Sequence, residues 1–323
     1  MNAHAKWLTA LILVIICSFH VVPASAQTLR AWVAPGGNDA NGCTVSAPCQ
    51  TFQGADQKVG SGGEIICLTG GSYGPLTITK SLTIDCEAPG GNAVYGTGGQ
   101  GSFYIVTAAA DRVILRGLGF DSANRELSGG LLTFAGSGTL VLDHVKINGN
   151  NGNGAHGIVF KPNGAARLIV SDSTFTGAGE GASGAGLLVQ PASGGSAQVM
   201  LERVKVEANI FGIAADGSSS TAGINMTIAD SVIASNVNDG IVATTTSGHA
   251  PIGVMVKNTK SANNGYGIRA IGSNVTVRVD GSTITGNGTG VAAVSGGALL
   301  STQTNIVEAN ASNGAFSGSL AFK

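Results

Sequence analysis

The chain has 323 residues, of which 17 are Lys or Arg and 18 are Asp or Glu, so its formal net charge is −1. This balance argues against nucleic acid as a partner, because nucleic-acid binding needs a concentrated basic surface. Only 11% of the residues are charged and 51 are Gly. Such a composition favours short strands joined by tight turns over helices rich in Leu, Glu and Lys.

Residues 1–26 predict a signal peptide. Lys6 precedes an apolar run over residues 7–22, and residues 24–26 read Ala-Ser-Ala, the small-residue pattern that a signal peptidase recognises. The alternative is a membrane anchor, since the run is close to the lower limit of about 17 residues for a bilayer span. We expect cleavage after Ala26, a secreted, periplasmic or cell-surface protein, and no membrane-spanning segment in the mature chain.

Four cysteines follow the predicted cleavage site, at Cys43, Cys49, Cys67 and Cys86. An even number of cysteines in an exported chain predicts two disulfides, and three pairings are possible. We favour Cys43–Cys49 and Cys67–Cys86, because the 19-residue separation of the second pair is close to one short turn of a β-solenoid. With no Cys-x-x-Cys motif and no His nearby, the cysteines do not predict a zinc site, and we expect no metal and no other cofactor.

The rest of the chain repeats one pattern: a β-rich run, usually an Asn, and a Gly followed by an aliphatic or small residue. The glycines recur every 23 to 29 residues, at Gly157, Gly186, Gly212, Gly240, Gly267, Gly290 and Gly314. A period of this length predicts a solenoid, in which each repeat buries its face against neighbouring repeats. Apolar and polar residues alternate within the runs, which predicts about three short strands in each repeat and no helix.

An Asn precedes most of these glycines, and we interpret the set as a structural column. Asn tolerates left-handed backbone geometry, and amides stacked at one corner of successive turns can bond to one another. Ala178 stands at the position between the first two members. The column comprises Asn150, Asn209, Asn236, Asn264, Asn287 and Asn310.

The chain resembles the bacterial secreted right-handed parallel β-helix proteins of the pectin-lyase-like superfamily. The resemblance rests on the repeats and on N-terminal motifs at residues 32–33, 36–39, 48–52, 62–65 and 77–84, and it covers nearly all of residues 28–323. It implies an all-β, right-handed parallel β-helix of roughly ten turns. It also implies a cap segment over residues 27–62, with a short helix near Thr51–Val59, before the β-helix of residues 63–323.

The best-known relatives in that superfamily cleave acidic polysaccharides. Its lyases resemble one another in calcium-binding carboxylates and a basic residue, and its hydrolases in an Asp pair, a His and an Arg-x-Lys motif. Neither set is complete here, because no Asp-Asp pair exists and the matches around His156 and Arg269 are partial. The catalytic residues therefore stay unknown, and the resemblance implies polysaccharide as the partner.

The residues just before the repeat glycines are candidate ligand contacts. With Arg269 nearby, Asp239 and Tyr266 can hold a sugar by stacking and hydrogen bonds. The alternative is that this position points inward and its aromatic side chains are core. The candidates are His156, Phe211, Asp239, Tyr266 and Arg269.

Two further columns carry charge. Lysines recur at Lys146, Lys205 and Lys260, and they form either a basic strip for an anionic glycan or edge charges that keep the strands soluble. A second column contains Asp172, Arg203 and Asp230, and we interpret it as a structural ladder of alternating charges.

Two functions fit these observations. The first is an exported β-helix protein that engages extracellular or cell-surface polysaccharide, with or without lyase-like activity. The alternative is a non-enzymatic structural or adhesin-like surface β-helix. The sequence decides neither enzyme activity nor the oligomeric state.

Overall fold

A computed structural model describes residues 28–88, 91–94, 102–122 and 129–321 of the chain. The predicted signal peptide lies outside these residues. In the described part, no helix has the length and apolar character that a membrane span requires. The chain winds instead through short strands that stack into a solenoid of three parallel sheets.

The elements are short and alternate with turns. In chain order they are β1 (Thr28–Val33), α1 (Phe52–Asp56), β2 (Val59–Cys67), β3 (Gly71–Ser72), β4 (Leu76–Ile78), β5 (Leu82–Asp85), β6 (Gly91–Val94), β7 (Phe103–Ile105), β8 (Arg112–Arg116), β9 (Leu118–Asp121), β10 (Gly129–Phe134), β11 (Gly138–Asp143), β12 (Lys146–Asn153), β13 (Ala155–Phe160), β14 (Ala165–Ser171), β15 (Thr174–Glu180), β16 (Ala185–Val189), β17 (Ser196–Glu202), β18 (Lys205–Glu207), β19 (Phe211–Asp216), β20 (Ile224–Ala229), β21 (Val232–Ala234), β22 (Asp239–Thr244), β23 (Ile252–Lys257), β24 (Lys260–Ala262), β25 (Tyr266–Ile271), β26 (Val275–Asp280), β27 (Thr283–Thr285), β28 (Thr289–Val294), β29 (Ala298–Ser301), β30 (Ile306–Glu308), β31 (Ser312–Gly314) and β32 (Gly318–Ser319).

Each turn of the solenoid contributes one strand to each of three sheets, so the predicted all-β parallel β-helix is confirmed. Sheet A has 12 strands in the order β1-β2-β5-β8-β11-β14-β17-β20-β23-β26-β29-β32. Sheet B has 10 strands in the order β3-β6-β9-β12-β15-β18-β21-β24-β27-β30. Sheet C has 10 strands in the order β4-β7-β10-β13-β16-β19-β22-β25-β28-β31.

The N-terminal helix is shorter than the predicted range of Thr51–Val59. Thr51 caps α1, because its side chain accepts a hydrogen bond from the Gly54 N–H at 2.9 Å. The side chain of Asp39 accepts hydrogen bonds from the backbone N–H groups of Gln50 and Thr51, just before the helix. The helix ends at Asp56, and Val59 already begins β2. The boundary between a cap of residues 27–62 and a β-helix of residues 63–323 stays a prediction, and β2 crosses it.

Both favoured disulfides are present. Cys43–Cys49 closes the loop after β1, with a Cα–Cα distance of 4.6 Å. Cys67–Cys86 joins the end of β2 to the residue after β5, with a Cα–Cα distance of 4.8 Å. Because β2 and β5 are neighbours in sheet A, the second bridge links adjacent turns, as the 19-residue spacing predicts.

The core is one continuous column of apolar side chains inside the coil. Alternation along each strand sends every second side chain inward, and burying a Leu, Ile, Val or Phe stabilises the fold by about 1.5–3 kcal/mol each. Aromatic rings fill the earlier turns and aliphatic side chains the later ones. The fully buried aromatics are Phe52, Tyr73, Phe103, Phe120, Phe134, Phe160 and Phe175.

The predicted Asn column forms a buried ladder between sheets B and C. Asn209 donates both its backbone N–H and its Nδ2 to Oδ1 of Asn236, at 3.1 and 3.0 Å, and each later member repeats the pattern toward its successor. Ala178 joins the ladder through its N–H, which donates to Asn209 Oδ1 at 2.9 Å. The side chain of Asn150 lies outside the described residues. The described members are Asn209, Asn236, Asn264, Asn287 and Asn310.

One detail of the ladder corrects the sequence interpretation. The left-handed residue at each corner is the one before the Asn, such as Ala208 (φ 56°) and Ser235 (φ 57°). The preceding residue turns the chain, and this turn aims the following amide inward, where it meets backbone donors and acceptors. Asn is therefore required at this position because of the hydrogen bonds that its amide makes, and not because Asn tolerates positive φ.

The predicted charge column occupies the corner between sheets A and B. Its members have left-handed φ values between 49° and 51°. Arg203 donates to both carboxylate oxygens of Asp172 at 2.8 Å, whereas Asp230 accepts from Asn258 on the next turn. A neighbouring column of side-chain hydroxyls was not predicted from the sequence. In it, Ser231 Oγ accepts a hydrogen bond from the Val204 N–H and donates one to the backbone oxygen of Ala229.

Candidate functional site

Two outward faces of the solenoid carry grooves. The sheet A groove, of about 570 Å³, crosses β14, β17, β20, β23 and β26. The sheet C groove, of about 440 Å³, crosses β16, β19, β22 and β25. Both volumes lie in the usual range for ligand sites.

The sheet A groove is built from residues that alternate with the core. One outward column consists of four residues that pair in register on successive turns: Arg167, Gln198, Asn225 and Gly253. The lack of a side chain at Gly253 deepens the groove beside Asn225. The neighbouring outward column continues with Ile169, Met200, Thr227, Met255 and Arg278.

The electrostatics of the sheet A groove come from two arginines. Arg167 and Arg278 are both exposed, and Arg167 Nε donates to Gln198 Oε1 at 2.8 Å. They lie four strand spacings apart along the axis, or about 19 Å at 4.7–4.9 Å for each spacing. The residues that line the groove include neither Asp nor Glu.

The sheet A groove is not among the sites predicted from the sequence. The signal for it is the set of polar residues at outward positions of the sheet A strands, such as Arg167 in β14 and Arg278 in β26. The groove itself, however, needs side chains from five turns in one register. The sequence predicts the turns, but it does not predict which outward columns are recessed.

On sheet C, three of the five candidate ligand residues meet. Asp239 and Tyr266 pair in register on β22 and β25. One terminal nitrogen of Arg269 donates to Asp239 Oδ2, and the Arg269 guanidinium carbon lies 4.3 Å from the centre of the Tyr266 ring. Phe211 lies on the preceding turn, at the equivalent position before the glycine.

Asp239 is a buried carboxylate with incomplete pairing. Its side chain is 0% exposed, whereas that of Arg269 is 24% exposed. Within the described residues, Asp239 Oδ1 and Arg269 Nε are buried without a hydrogen-bond partner. Burial raises the pKa of the Asp239 carboxyl above its usual range, and the Arg269 guanidinium partly opposes that effect. A buried group of this kind beside a groove is a candidate for function.

His156 lies at the far end of the sheet C groove, away from this cluster. Its Nδ1 accepts a hydrogen bond from the Ala185 N–H at 2.9 Å, so the proton of the neutral ring is on Nε2. Burial lowers the pKa of His156 to about 4. Three strand spacings, about 14 Å, separate His156 from the position of Asp239, so the structure does not bring these two residues together.

The floor of the sheet C groove is an apolar outward column. Leu188, Ala214 and Val242 pair in register on successive turns, and Arg269 occupies the same position on the next turn. Phe211 lines one side. On the other side Gln190 Nε2 donates to Asp216 Oδ2 at 2.7 Å.

Two other groups of charged residues are less suited to bind a ligand. The three lysines share one column of sheet B, but Thr174 and Val232 separate them, and Lys205 pairs with Glu207 at 2.7 Å. In the described part of the chain, Asp143, His144 and Asp172 hold ligand atoms within 4.8 Å of one another. The guanidinium of Arg203 binds both oxygens of Asp172, so a metal ion at this position would share those oxygens with a cation that repels it.

Comparisons with known proteins agree with the architecture. A family model described as the right handed beta helix region matches residues 129–312, more than half of the chain. No curated protein sequence is significantly similar to the chain. Among solved structures, pectate lyase Pel9A superposes with a TM-score of 0.67 at 16% identity, over 92% of this chain and 80% of that one.

A rhamnogalacturonan lyase aligns over 91% of this chain and 89% of that one at 13% identity, with a TM-score of 0.42. At 16% identity, the likeness to pectate lyase Pel9A concerns the fold alone. The sheets, the ladder and the family match together place the chain in the right-handed parallel β-helix family.

Proposed function

We propose that the protein is an exported, polysaccharide-binding β-helix whose sheet A groove holds an acidic glycan chain. The observation that carries this proposal is the pair of exposed arginines in a recessed strip that runs along the solenoid axis. The chain as a whole has a net charge of −1, so two cations without a lining carboxylate make this groove more positive than the average surface.

The dimensions of the sheet A groove suit a linear polymer. Arg167 and Arg278 are about 19 Å apart along the axis, which is the length of a short oligosaccharide. Between them, the amides of Gln198 and Asn225 offer donors and acceptors to hydroxyl groups, and the side chains of Met200 and Met255 offer apolar surface to sugar rings. Carbohydrate recognition combines these two kinds of contact. The fold shared with pectate lyase Pel9A supports a glycan ligand.

The groove is better suited to binding than to cleavage. Hydrolysis requires two carboxyl groups about 5–9.5 Å apart across the bond, and the lining supplies none. Elimination with a divalent cation requires several oxygen ligands from the protein, which the described lining supplies only through neutral amides and a hydroxyl. We therefore expect glycan binding with slow or absent turnover.

The test is titration calorimetry of the mature protein with oligogalacturonates of four to eight residues. Arg167→Gln and Arg278→Gln should each weaken binding about 10- to 100-fold, as expected for a charged hydrogen bond worth about 1.5–3 kcal/mol. Lys260→Gln removes one positive charge from an exposed position on sheet B and is the control. Equal affinity in all three variants would contradict the proposed site.

Two further outcomes separate the alternatives. Rapid release of unsaturated products, measured by their ultraviolet absorbance, would replace binding with lyase activity. If neither oligogalacturonate nor neutral glycans bind, the structural or adhesin-like function remains.

A further inference from the structure

We propose a second ligand site, in the sheet C groove, for an aryl carboxylate whose ring lies on the apolar floor and whose carboxylate meets Arg269. This site is on a different sheet from the proposed polysaccharide groove and does not depend on it.

The floor determines the apolar part of the ligand. Leu188, Ala214 and Val242 present only hydrocarbon to the groove, and the short side chain of Ala214 leaves a recess between the other two. A sugar in this recess would bury hydroxyl groups without partners, which is unfavourable. The polar pair on the nearby wall, Gln190 and Asp216, is already bonded within itself. The negative charge of Asp216 lies on the strand of Ala214, two strand spacings from Arg269, and so at the ring end of the ligand. An apolar ring therefore fits this floor better than a sugar does.

Phe211 favours an aromatic ring over an alkyl chain. It lines the groove three residues before Ala214 on β19 and is half-buried, so its ring remains accessible from the groove. Aromatic pairs gain about 0.5–1.5 kcal/mol beyond the area they bury. A flat ring that extends from Ala214 along β19 would approach the Phe211 ring.

Arg269 determines the charged part of the ligand. It ends the apolar column and is partly exposed, and a guanidinium has five N–H donors in a planar fork that suits a carboxylate. Asp239 occupies only one terminal nitrogen, and Tyr266 holds the guanidinium from one face. The cation is thus fixed in place. Because its Nε is buried, the donors that a ligand can meet are those of the terminal nitrogens.

The spacing sets the length of the ligand. Ala214 and Arg269 lie two strand spacings apart along the axis, or about 10 Å. An arylpropenoate spans this distance from its carboxylate to the far edge of its ring.

The test uses trans-4-methoxycinnamate as the probe and its methyl ester as the neutral analogue. Calorimetric titration of the mature protein should show saturable binding at one site per chain, and the ester should bind at least 10-fold more weakly. Ala214→Leu fills the recess and should weaken binding of the acid at least 10-fold. Ala234→Leu places the same side chain on the outward face of sheet B and should leave the affinity unchanged.

Arg269→Gln should also weaken the acid at least 10-fold, and Arg112→Gln is its matched control. Because the first change leaves Asp239 buried without its cation, the double variant Asp239→Asn/Arg269→Gln repeats the measurement without that charge. Absence of saturable binding, equal affinity for acid and ester, or unchanged affinity in Ala214→Leu would each overturn the proposal. None of these results affects oligogalacturonate binding, which is measured with another ligand and with variants on sheet A.

Discussion

Asn236 donates two hydrogen bonds to a single atom of Asn264: its backbone N–H and its Nδ2 both reach Asn264 Oδ1, at 3.0 and 2.9 Å. Asn236 is also the acceptor for Asn209 of the preceding turn. One amide therefore satisfies buried backbone and side-chain groups of two adjacent turns.

Replacing Asn236 by Ala should lower the free energy of unfolding by about 1–3 kcal/mol or more, because the backbone N–H of Asn209 loses its acceptor inside the core. Asn264→Ala should behave alike, and the double variant should lose less than the sum, since the two share their contacts. Urea unfolding measures all three. Asn274→Ala, at an exposed turn, is the control, and a similar small loss in every variant would contradict a structural ladder.

Gly212 is required by a close approach and not by its φ angle. A Cβ at this position would lie 2.5 Å from the Gly240 carbonyl oxygen and 2.9 Å from Asn236 Nδ2. Gly212→Ala should therefore destabilise the fold by about 1–3 kcal/mol, the usual cost of overpacking. Gly36→Ala is the matched control, because a Cβ there has no neighbour within 4 Å. Equal melting temperatures for the two variants would contradict this account.

His156 should make stability depend on pH. Its folded pKa of about 4 lies below the ordinary value of 6.5, so the folded state favours the neutral ring. This contribution is complete above pH 6.5 and is lost as the pH falls from 6.5 toward 4, by at most about 3 kcal/mol. His156→Gln keeps a side-chain acceptor for the Ala185 N–H without titrating.

The measurement is the free energy of unfolding at several pH values for wild type and His156→Gln. The difference between the two proteins should be constant above pH 6.5 and should change in favour of the variant below it. A difference that stays constant down to pH 4 would show that burial does not shift this histidine.

The exported protein should start at Gln27 and carry two disulfides. The order of a basic residue, an apolar run and small residues predicts cleavage after Ala26, and all four later cysteines are paired in the fold. Intact-mass analysis with and without a thiol-alkylating reagent tests both points. A retained N-terminus or alkylated cysteines in the unreduced protein would contradict them.

The fold could be predicted from the sequence because the same two structural requirements, a buried amide and a glycine at a close approach, recur from turn to turn. The buried amide and the crowded glycine exclude most substitutions at Asn236 and Gly212, so these residues mark the turns and the period becomes visible. The left-handed corner was harder to assign, since Ala208 and Ser235 have no common side-chain property. Their backbone angle follows from the turn that they complete.

The sites were less predictable for a different reason. Pairing of Asp239, Tyr266 and Arg269 could be predicted, because their positions relative to the repeat glycines bring them to adjacent turns. The recess at Ala214 and the strip between Arg167 and Arg278 depend on differences in side-chain size across several turns. The effect of these size differences on the shape of the surface can be judged only when the register of the strands is known.

The ladder also ends in a specific way. In the described residues the last amide of the column, Asn310, meets Asn313, which lies three residues later and accepts from Asn310 Nδ2 at 3.0 Å. The turn that contains Asn310 thus supplies its own acceptor, whereas each earlier turn of the ladder both receives this pair of bonds and donates the same pair to the next turn. Length is consequently an adjustable property of this architecture. A whole repeat duplicated between Asn236 and Asn264 would find partners of the usual kind on both sides, so genes for such proteins can lengthen one turn at a time while the two ends stay unchanged.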